Sequence, residues 1–224
     1  MRIFLLSLFL FPLLVFAQKR EVFRIDSLPK AGILLNQGWK WHAGDDPEWA
    51  KAEFDDAGWE EIDPTKDIFA LPQLPRSGKI GWFRIHLMID SSLNQQMVML
   101  IQQSGASEIY LNGRLIQQFG TLSTDPQKVI AFTPALKPVS FPTTNRHIGV
   151  LAVRYALQPG IGYSSHFGTV NTALTISLNT VENGVDTYES IHWAAVQPHP
   201  IRVGIFFSLA ILYFGFYFFT EREW

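Results

Sequence analysis

Five side chains in the sequence are of types that hold small polar ligands at a protein surface: Trp41, Trp49, Arg76, Tyr163 and His166. Trp41 and Trp49 border the polar stretch His42 to Glu48, and an indole face can stack on the C–H-rich face of a sugar ring. Arg76, in Leu74-Pro75-Arg76-Ser77-Gly78, has the planar fork that meets an anionic group through two parallel N–H donors. Tyr163 and His166 lie in a Gly-rich loop beginning at Gly160, where they could stack on a ring and bond a hydroxyl; loops on a β scaffold often carry binding residues. Trp59 and Trp82 are expected to pack inside, as large aromatics mostly do, whereas Trp41 and Trp49 are expected to be more exposed. The acidic run Asp45, Asp46, Glu48, Glu53, Asp55 and Asp56 fits no EF-hand spacing and reads as solvated charge. No metal and no cofactor is expected.

Signals for catalysis are missing from the sequence. The six His form no HExxH pair, and no G-x-S-x-G elbow, P-loop or dinucleotide fingerprint occurs. Glycoside hydrolysis needs two carboxylates facing across a cleft, and the acidic run offers no such assignment. With no cysteine there is no thiol nucleophile and no disulfide. The chain is therefore expected not to be an enzyme by itself. Eighteen basic and twenty acidic side chains give a net charge of -2, which argues against nucleic acid as a partner.

The elements that would carry these residues sit between two apolar ends. The mean hydropathy is +0.09 and 47% of residues are apolar. Outside Ile3–Ala17 and Val203–Phe219 the apolar share falls to about 41%, the value of a soluble domain. Arg2, an apolar run and Val15-Phe16-Ala17 read as a secretory signal peptide over 1–17. Val203 to Thr220 carries no charge, and a helix of that length just crosses a bilayer core. This predicts a transmembrane helix over 201–220, with 18–178 outside the membrane and 221–224 beginning a cytoplasmic or truncated segment.

The middle reads as short strands punctuated by turns. Trp82 to Ile89 alternates polar and apolar, Met97 to Ile101 is an apolar run, and His147 to Tyr155 and Ala173 to Leu178 are further strands. Asn112-Gly113 between two apolar runs marks a hairpin, since both residues accept the positive φ of a type I′ turn. Many short strands with Gly and Pro between them imply an antiparallel sandwich or jelly roll. From 179 to 200 the spacing changes. Asn179 followed by Glu182 looks like a capping box, and Val181, Val185, Tyr188, His192 and Ala195 follow helical spacing. A short connector helix, or an irregular linker, is expected before the prolines at 198 and 200.

Three segments in order resemble a known fold: Phe54-Asp55-Asp56-Ala57-Gly58-Trp59, then Gly81-Trp82-Phe83-Arg84, then Glu108-Ile109-Tyr110-Leu111-Asn112-Gly113. With the late strand Ile148–Val153, they resemble the galactose-binding-like jelly roll that forms the sugar-binding domain of family 2 glycoside hydrolases. The whole arrangement also resembles the N-terminal part of bacterial receptors with seven transmembrane helices and diverse intracellular signalling modules. That resemblance implies an all-β, galactose-binding-like sandwich outside the inner membrane, sensing a carbohydrate or small molecule. Further spans and an output kinase, phosphatase or cyclase would lie beyond Trp224. An accessory carbohydrate-binding domain of a membrane-tethered glycosidase is the alternative. The implied partners are a small-molecule or carbohydrate ligand and the lipid bilayer, with a homodimer left open.

Overall fold

A computed structural model describes residues 21–93, 95–142, 148–163, 171–196 and 198–220. The alternation read between Trp82 and Ile89 becomes strand β5 (Gly81–Ile89), which pairs with β10 (Ile148–Ala156) and β3 (Lys40–Ala43). β10 pairs in turn with β7 (Ala106–Leu111), and β7 with β8 (Arg114–Phe119). β4 (Glu60–Glu61) closes the other edge against β3. β1 (Phe23–Ile25) lies end to end with β3 along one side of β5, and it is parallel where the other pairs are antiparallel. The second sheet runs in the order β2 (Ile33–Leu34), β11 (Leu174–Thr180), β6 (Met97–Gln103), β9 (Val139–Phe141). The two sheets form the expected β-sandwich. Between them lies the main core, with Phe83, Ile85, Leu87, Leu151, Val153 and Tyr155 facing Met97, Met99, Ile101, Ile176 and Leu178.

The Asn112-Gly113 turn has the two positive φ values, 51° and 82°, that the sequence called for. The short strands β1 to β4 had no periodicity long enough to announce them.

Both sandwich faces are covered from outside. On the larger sheet, Trp82, Arg84 and His86 point away from the main core, yet all three are buried. Segment 43–62 folds over them, and Trp59 and Ala50, with the half-buried Trp49 and Phe54, make a second apolar cluster around Trp82, Ala106, Ala152 and Ala156. This segment has little regular structure of its own, so the question is where its backbone groups bond. Arg84 answers much of it. Its guanidinium donates to the carbonyl oxygens of Trp49, of Lys51 at 3.0 Å and of Phe54 at 3.4 Å. Its Nε donates to Asp56 Oδ2 at 2.9 Å, and both side chains are wholly buried. His86 Nε2 donates to the same carboxylate at 2.9 Å, and Lys40 Nζ donates to the Asp56 carbonyl at 3.0 Å. Asp56 is therefore an internal anchor, a correction to its reading as solvated charge.

Three more members of the acidic run serve local structure. Asp46 accepts from Glu48 N and caps a 3-10 turn at Pro47–Ala50, Glu48 pairs with Lys51, and Asp55 accepts from Ala57 N. Gly81, which opens the Gly-Trp-Phe-Arg segment, lets the Trp41 ring lie against its backbone; a Cβ there would sit 2.3 Å from that ring.

On the smaller sheet, β11 passes into α1 (Val181–Val196) with no residue between them. The cap is Thr180, whose Oγ1 accepts from Asn183 N at 3.2 Å, and not the expected Asn179. Asn179 is still a strand residue, buried, with Nδ2 bonded to Ser177 Oγ. α1 lies on the outer face of β6 through Gly184, where a Cβ would approach Val98 Cγ2 to 2.5 Å. α2 (Pro198–Thr220) follows, starting on a proline as helices tolerate at their first turn. Among the described residues no helix is long and apolar enough to cross a membrane. The expected signal peptide lies outside the described residues.

Two predictions follow from these layers. Burial alone would raise the Asp56 pKa, but hydrogen bonds and charge from His86 and Arg84 override it and hold the carboxyl far below the ordinary range. A depressed folded-state pKa gives stability that is full above the unfolded value of about 3.9 and is lost as pH falls below it. Asp56→Asn is expected to remove that acid-dependent part and to cost about 3–5 kcal/mol at neutral pH, because Arg84 stays buried without its counter-charge. Denaturant unfolding of both forms from pH 7 to pH 3 measures this. In the second, Gly184→Ala is expected to cost about 1–3 kcal/mol by overpacking against Val98. Thermal unfolding of Gly184→Ala with Val98→Ala should recover most of the loss.

Candidate functional site

Strand β10 turns Ala152, Arg154 and Ala156 outward, opposite its core residues, and Arg154 stands in register with Trp82 on one side and Glu108 on the other. Two small neighbours leave room for the guanidinium to reach along the sheet surface. Its Nε and one terminal nitrogen donate to the two carboxylate oxygens of Asp45, at 2.7 and 2.6 Å. The other terminal nitrogen donates to Glu108 Oε2 at 3.1 Å, and the Tyr110 hydroxyl donates to that same oxygen at 2.8 Å. The fork-to-fork geometry fixes the plane of the Asp45 carboxylate as well as its position. Hydrogen bonding to Asp45 first, and the two acidic charges with it, raise the Arg154 pKa further above its ordinary value. Burial and the bond to Glu108 push the Tyr110 phenol up to about 12, so it remains a donor.

Asp45 also stands on the wall of a cleft of about 480 Å³. Ala43, Gly44, Gln73, Pro75, Lys79, Ile80, Thr124 and Pro126 line the rest of it. The volume is that of a small-molecule site. The polar side chains among the lining residues are Asp45, held by Arg154, Lys79, Thr124 and Gln73, whose amide nitrogen is taken by Glu60 and whose amide oxygen is buried; proline and isoleucine make up much of the rest. Gln73 Nε2 donates to Glu60 Oε1 at 2.7 Å, which ties this wall to strand β4. A carboxylate acceptor, an ammonium donor and a hydroxyl are the kinds of group that bind a ligand with several hydroxyls.

No protein-family model matches the chain, and no curated protein does. Several solved structures are similar. A β-glucuronidase of Bacteroides uniformis has 20% identity over 65% of this chain and 17% of its own, with a TM-score of 0.45. A β-glycosidase of Bacteroides vulgatus has 17% identity over 66% of this chain and 20% of its own, at 0.43. A Bifidobacterium dentium β-glucuronidase complexed with coumarin-3-O-glucuronide has 16% identity over 60% and 22%, at 0.40. The chain spans about a fifth of the length of these enzymes. At these values the likeness transfers neither a residue role nor an activity.

The five residues singled out in the sequence do not gather in this cleft. Trp41 is a core residue, only 4% exposed, with its ring 4.5 Å from that of Phe83; the expectation of an exposed indole is corrected, because β3 turns it between the sheets. Trp49 is half-buried in the outer cluster, packed edge-on to Trp59 and to His42. Arg76 is exposed on the loop that carries Lys79, its guanidinium 4.6 Å above the Phe69 ring. Tyr163 is buried and its hydroxyl donates to the Gln158 carbonyl at 2.7 Å. Burial raises its pKa to about 12, with the charge of Arg76 opposing the rise. His166 lies outside the described residues.

Asp45 was expected as solvated charge and is instead paired with Arg154, while Lys79 and Arg154 were not singled out. Only the alternation Ala152-Arg154-Ala156, small residues around one long cation on a strand face, could have pointed to this site. Arg154→Met is expected to leave Asp45 and Glu108 facing each other without a cation. The predicted loss is about 1–2 kcal/mol at low salt, smaller in high salt. Hydrogen exchange at residues 43–46 should quicken while the β10 amides stay protected.

Proposed function

We propose that this chain is the ligand-sensing module of a bacterial membrane receptor, its sandwich a galactose-binding-like jelly roll outside the inner membrane. The observation that carries this reading is the joint at Thr180–Val181: a core strand of the sandwich becomes α1 without a linker, and α1 leads to the apolar helix α2. A domain that only displayed a binding surface would have no need of a rigid exit. In this reading the signal-peptide-like start exports the sandwich and the full apolar run to Thr220 crosses the bilayer. The ligand is a carbohydrate or another small polyhydroxylated molecule held in the Asp45–Lys79 cleft. It would act by favouring one placement of the loops that line the cleft, and it can shift such an equilibrium only by its differential affinity for the two placements.

The test uses the full chain expressed in bacteria. The chain is expected in the membrane fraction after carbonate extraction, with the sandwich open to protease only from the periplasmic side. In mild detergent, neutral and acidic monosaccharides and disaccharides are screened for a rise in unfolding temperature. At a hundredfold excess over Kd the rise should correspond to about 2.7 kcal/mol. Asp45→Ala and Lys79→Ala should each abolish it. A chain found only in the soluble fraction overturns the membrane reading, and a screen with no shift overturns the carbohydrate reading.

A further inference from the structure

Helix α1 leaves the sandwich part-way along its length. Over 181–188 one side is turned to the smaller sheet. Gly184 is buried against Val98 and Leu100 of β6, and Asn183, Thr187 and Tyr188 are half-buried. From Glu189 to Trp193 every side chain is exposed. Two of these are large and apolar, Ile191 at 45% and Trp193 at 60% exposure. They stand two positions apart, about 200° around the helix, and so point to nearly opposite sides. A protein partner laid on one face of α1 would cover one of them and leave the other in water. A medium that surrounds the helix covers both.

The charges narrow the choice of medium. Glu182, Asp186 and Glu189 all precede Ser190, and from Ser190 to Ile201 there is no Asp, Glu, Lys or Arg. The next charge is the cation Arg202, followed by the uncharged run from Val203 to Thr220. The carboxylates thus end before a surface of anionic lipid would repel them, and the first charge beyond is one that such a surface attracts. Tryptophan suits that boundary, with its ring in apolar contact and its N–H in a wet layer.

The backbone sets the depth. In a continuous helix the carbonyls of residues 194 and 196 would take N–H donors from residues 198 and 200, and both of those are proline. These carbonyls need water or a headgroup donor, which the hydrocarbon core does not supply. α1 stops at Val196 and α2 starts at Pro198, so the chain can change direction there. An uncharged stretch with exposed apolar side chains and carbonyls that need outside donors fits the headgroup layer, and neither the core nor bulk water.

We propose that residues 190–201 lie in the headgroup layer of the bilayer on the sandwich side, with Ile191 and Trp193 inserted, so that the end of α1 rests on lipid. The inference rests on the membrane reading of the proposed function and adds to it a lipid contact made by the connector itself.

The absence of cysteine makes the test direct. Ile191→Cys, Trp193→Cys, Asp186→Cys and Leu209→Cys, each in the full chain, are labelled with the thiol-reactive fluorophore NBD. They are reconstituted into vesicles of phosphatidylcholine and phosphatidylglycerol in equal parts. Quenching is read from aqueous iodide, from a nitroxide on the lipid headgroup and from a nitroxide near the end of the acyl chain. At positions 191 and 193 the headgroup nitroxide is expected to quench about three times or more as strongly as the acyl-end nitroxide, as for side chains buried only at the headgroup boundary. Position 186 is expected to answer to iodide alone, and position 209 chiefly to the acyl-end nitroxide. Iodide quenching at 191 and 193 equal to that at 186, with 209 deep, overturns the lipid contact and leaves the membrane reading standing. Free iodide access at 209 overturns both. Protection of only one of 191 and 193, without nitroxide quenching, overturns the proposal in favour of a protein partner. Strongest quenching of both by the acyl-end nitroxide overturns the headgroup placement. Circular dichroism and the unfolding temperature of each variant, all at exposed positions, check that it is folded.

Discussion

The buried pair of Arg84 and Asp56 is the interaction on which the outer layer depends. Two charges withdrawn from water cost several kcal/mol each, and their attraction offsets this only when their remaining hydrogen-bonding sites are filled. Here most are filled by the very segment that buries them: three backbone carbonyls from residues 49 to 54 take three of the other guanidinium N–H groups, and His86 shares the carboxylate. A stretch with almost no regular structure thereby has backbone carbonyls bonded from the sheet it covers. The aromatic cluster of Trp49, Trp59 and Trp82 follows from it, since those rings meet only when the segment lies flat on the sheet. Asp45, near the start of the same segment, is thereby brought within reach of Arg154.

Small residues decide what each outer face can receive. Ala106, Ala152 and Ala156 leave space on the larger sheet for two indoles and for an arginine that runs along the surface. Gly184 does the same on the smaller sheet, bringing α1 close to β6. The cleft and the helix exit consequently belong to opposite sheets of one sandwich, joined by a continuous core of β5, β10, β6 and β11 side chains.

Much of the fold was legible because strand alternation and turn chemistry are local. The alternation from Trp82, the apolar run from Met97, the Asn112-Gly113 turn and the strand ending near Leu178 all appear where their residues place them. The two- to four-residue strands at the start did not announce themselves, since they are too short for a period and owe their existence to the edge of β5. The cap of α1 was misplaced by one residue because Asn179 and Thr180 are both good caps, and the choice rests on how far β11 extends along β6. The site was scarcely legible. Indoles, a loop arginine and a Gly-rich loop are generic signals, and Trp41 shows why they mislead: one step along β3 separates a ring in the core from a side chain in solvent.

Residue order by itself determined the division into apolar ends and a β middle, the hairpin, and the helical character of the stretch after residue 180. These depend on composition and short-range periodicity, which the chain carries wherever it folds. Tertiary structure alone decided that Asp56 is internal, that Trp41 is core, and that Asp45, Lys79 and Thr124 share one cleft. Those facts join residues from distant parts of the chain, and the physics that selects them, desolvation of a charge against a matching donor set and the fit of a ring beside a glycine, acts only between surfaces that have already met.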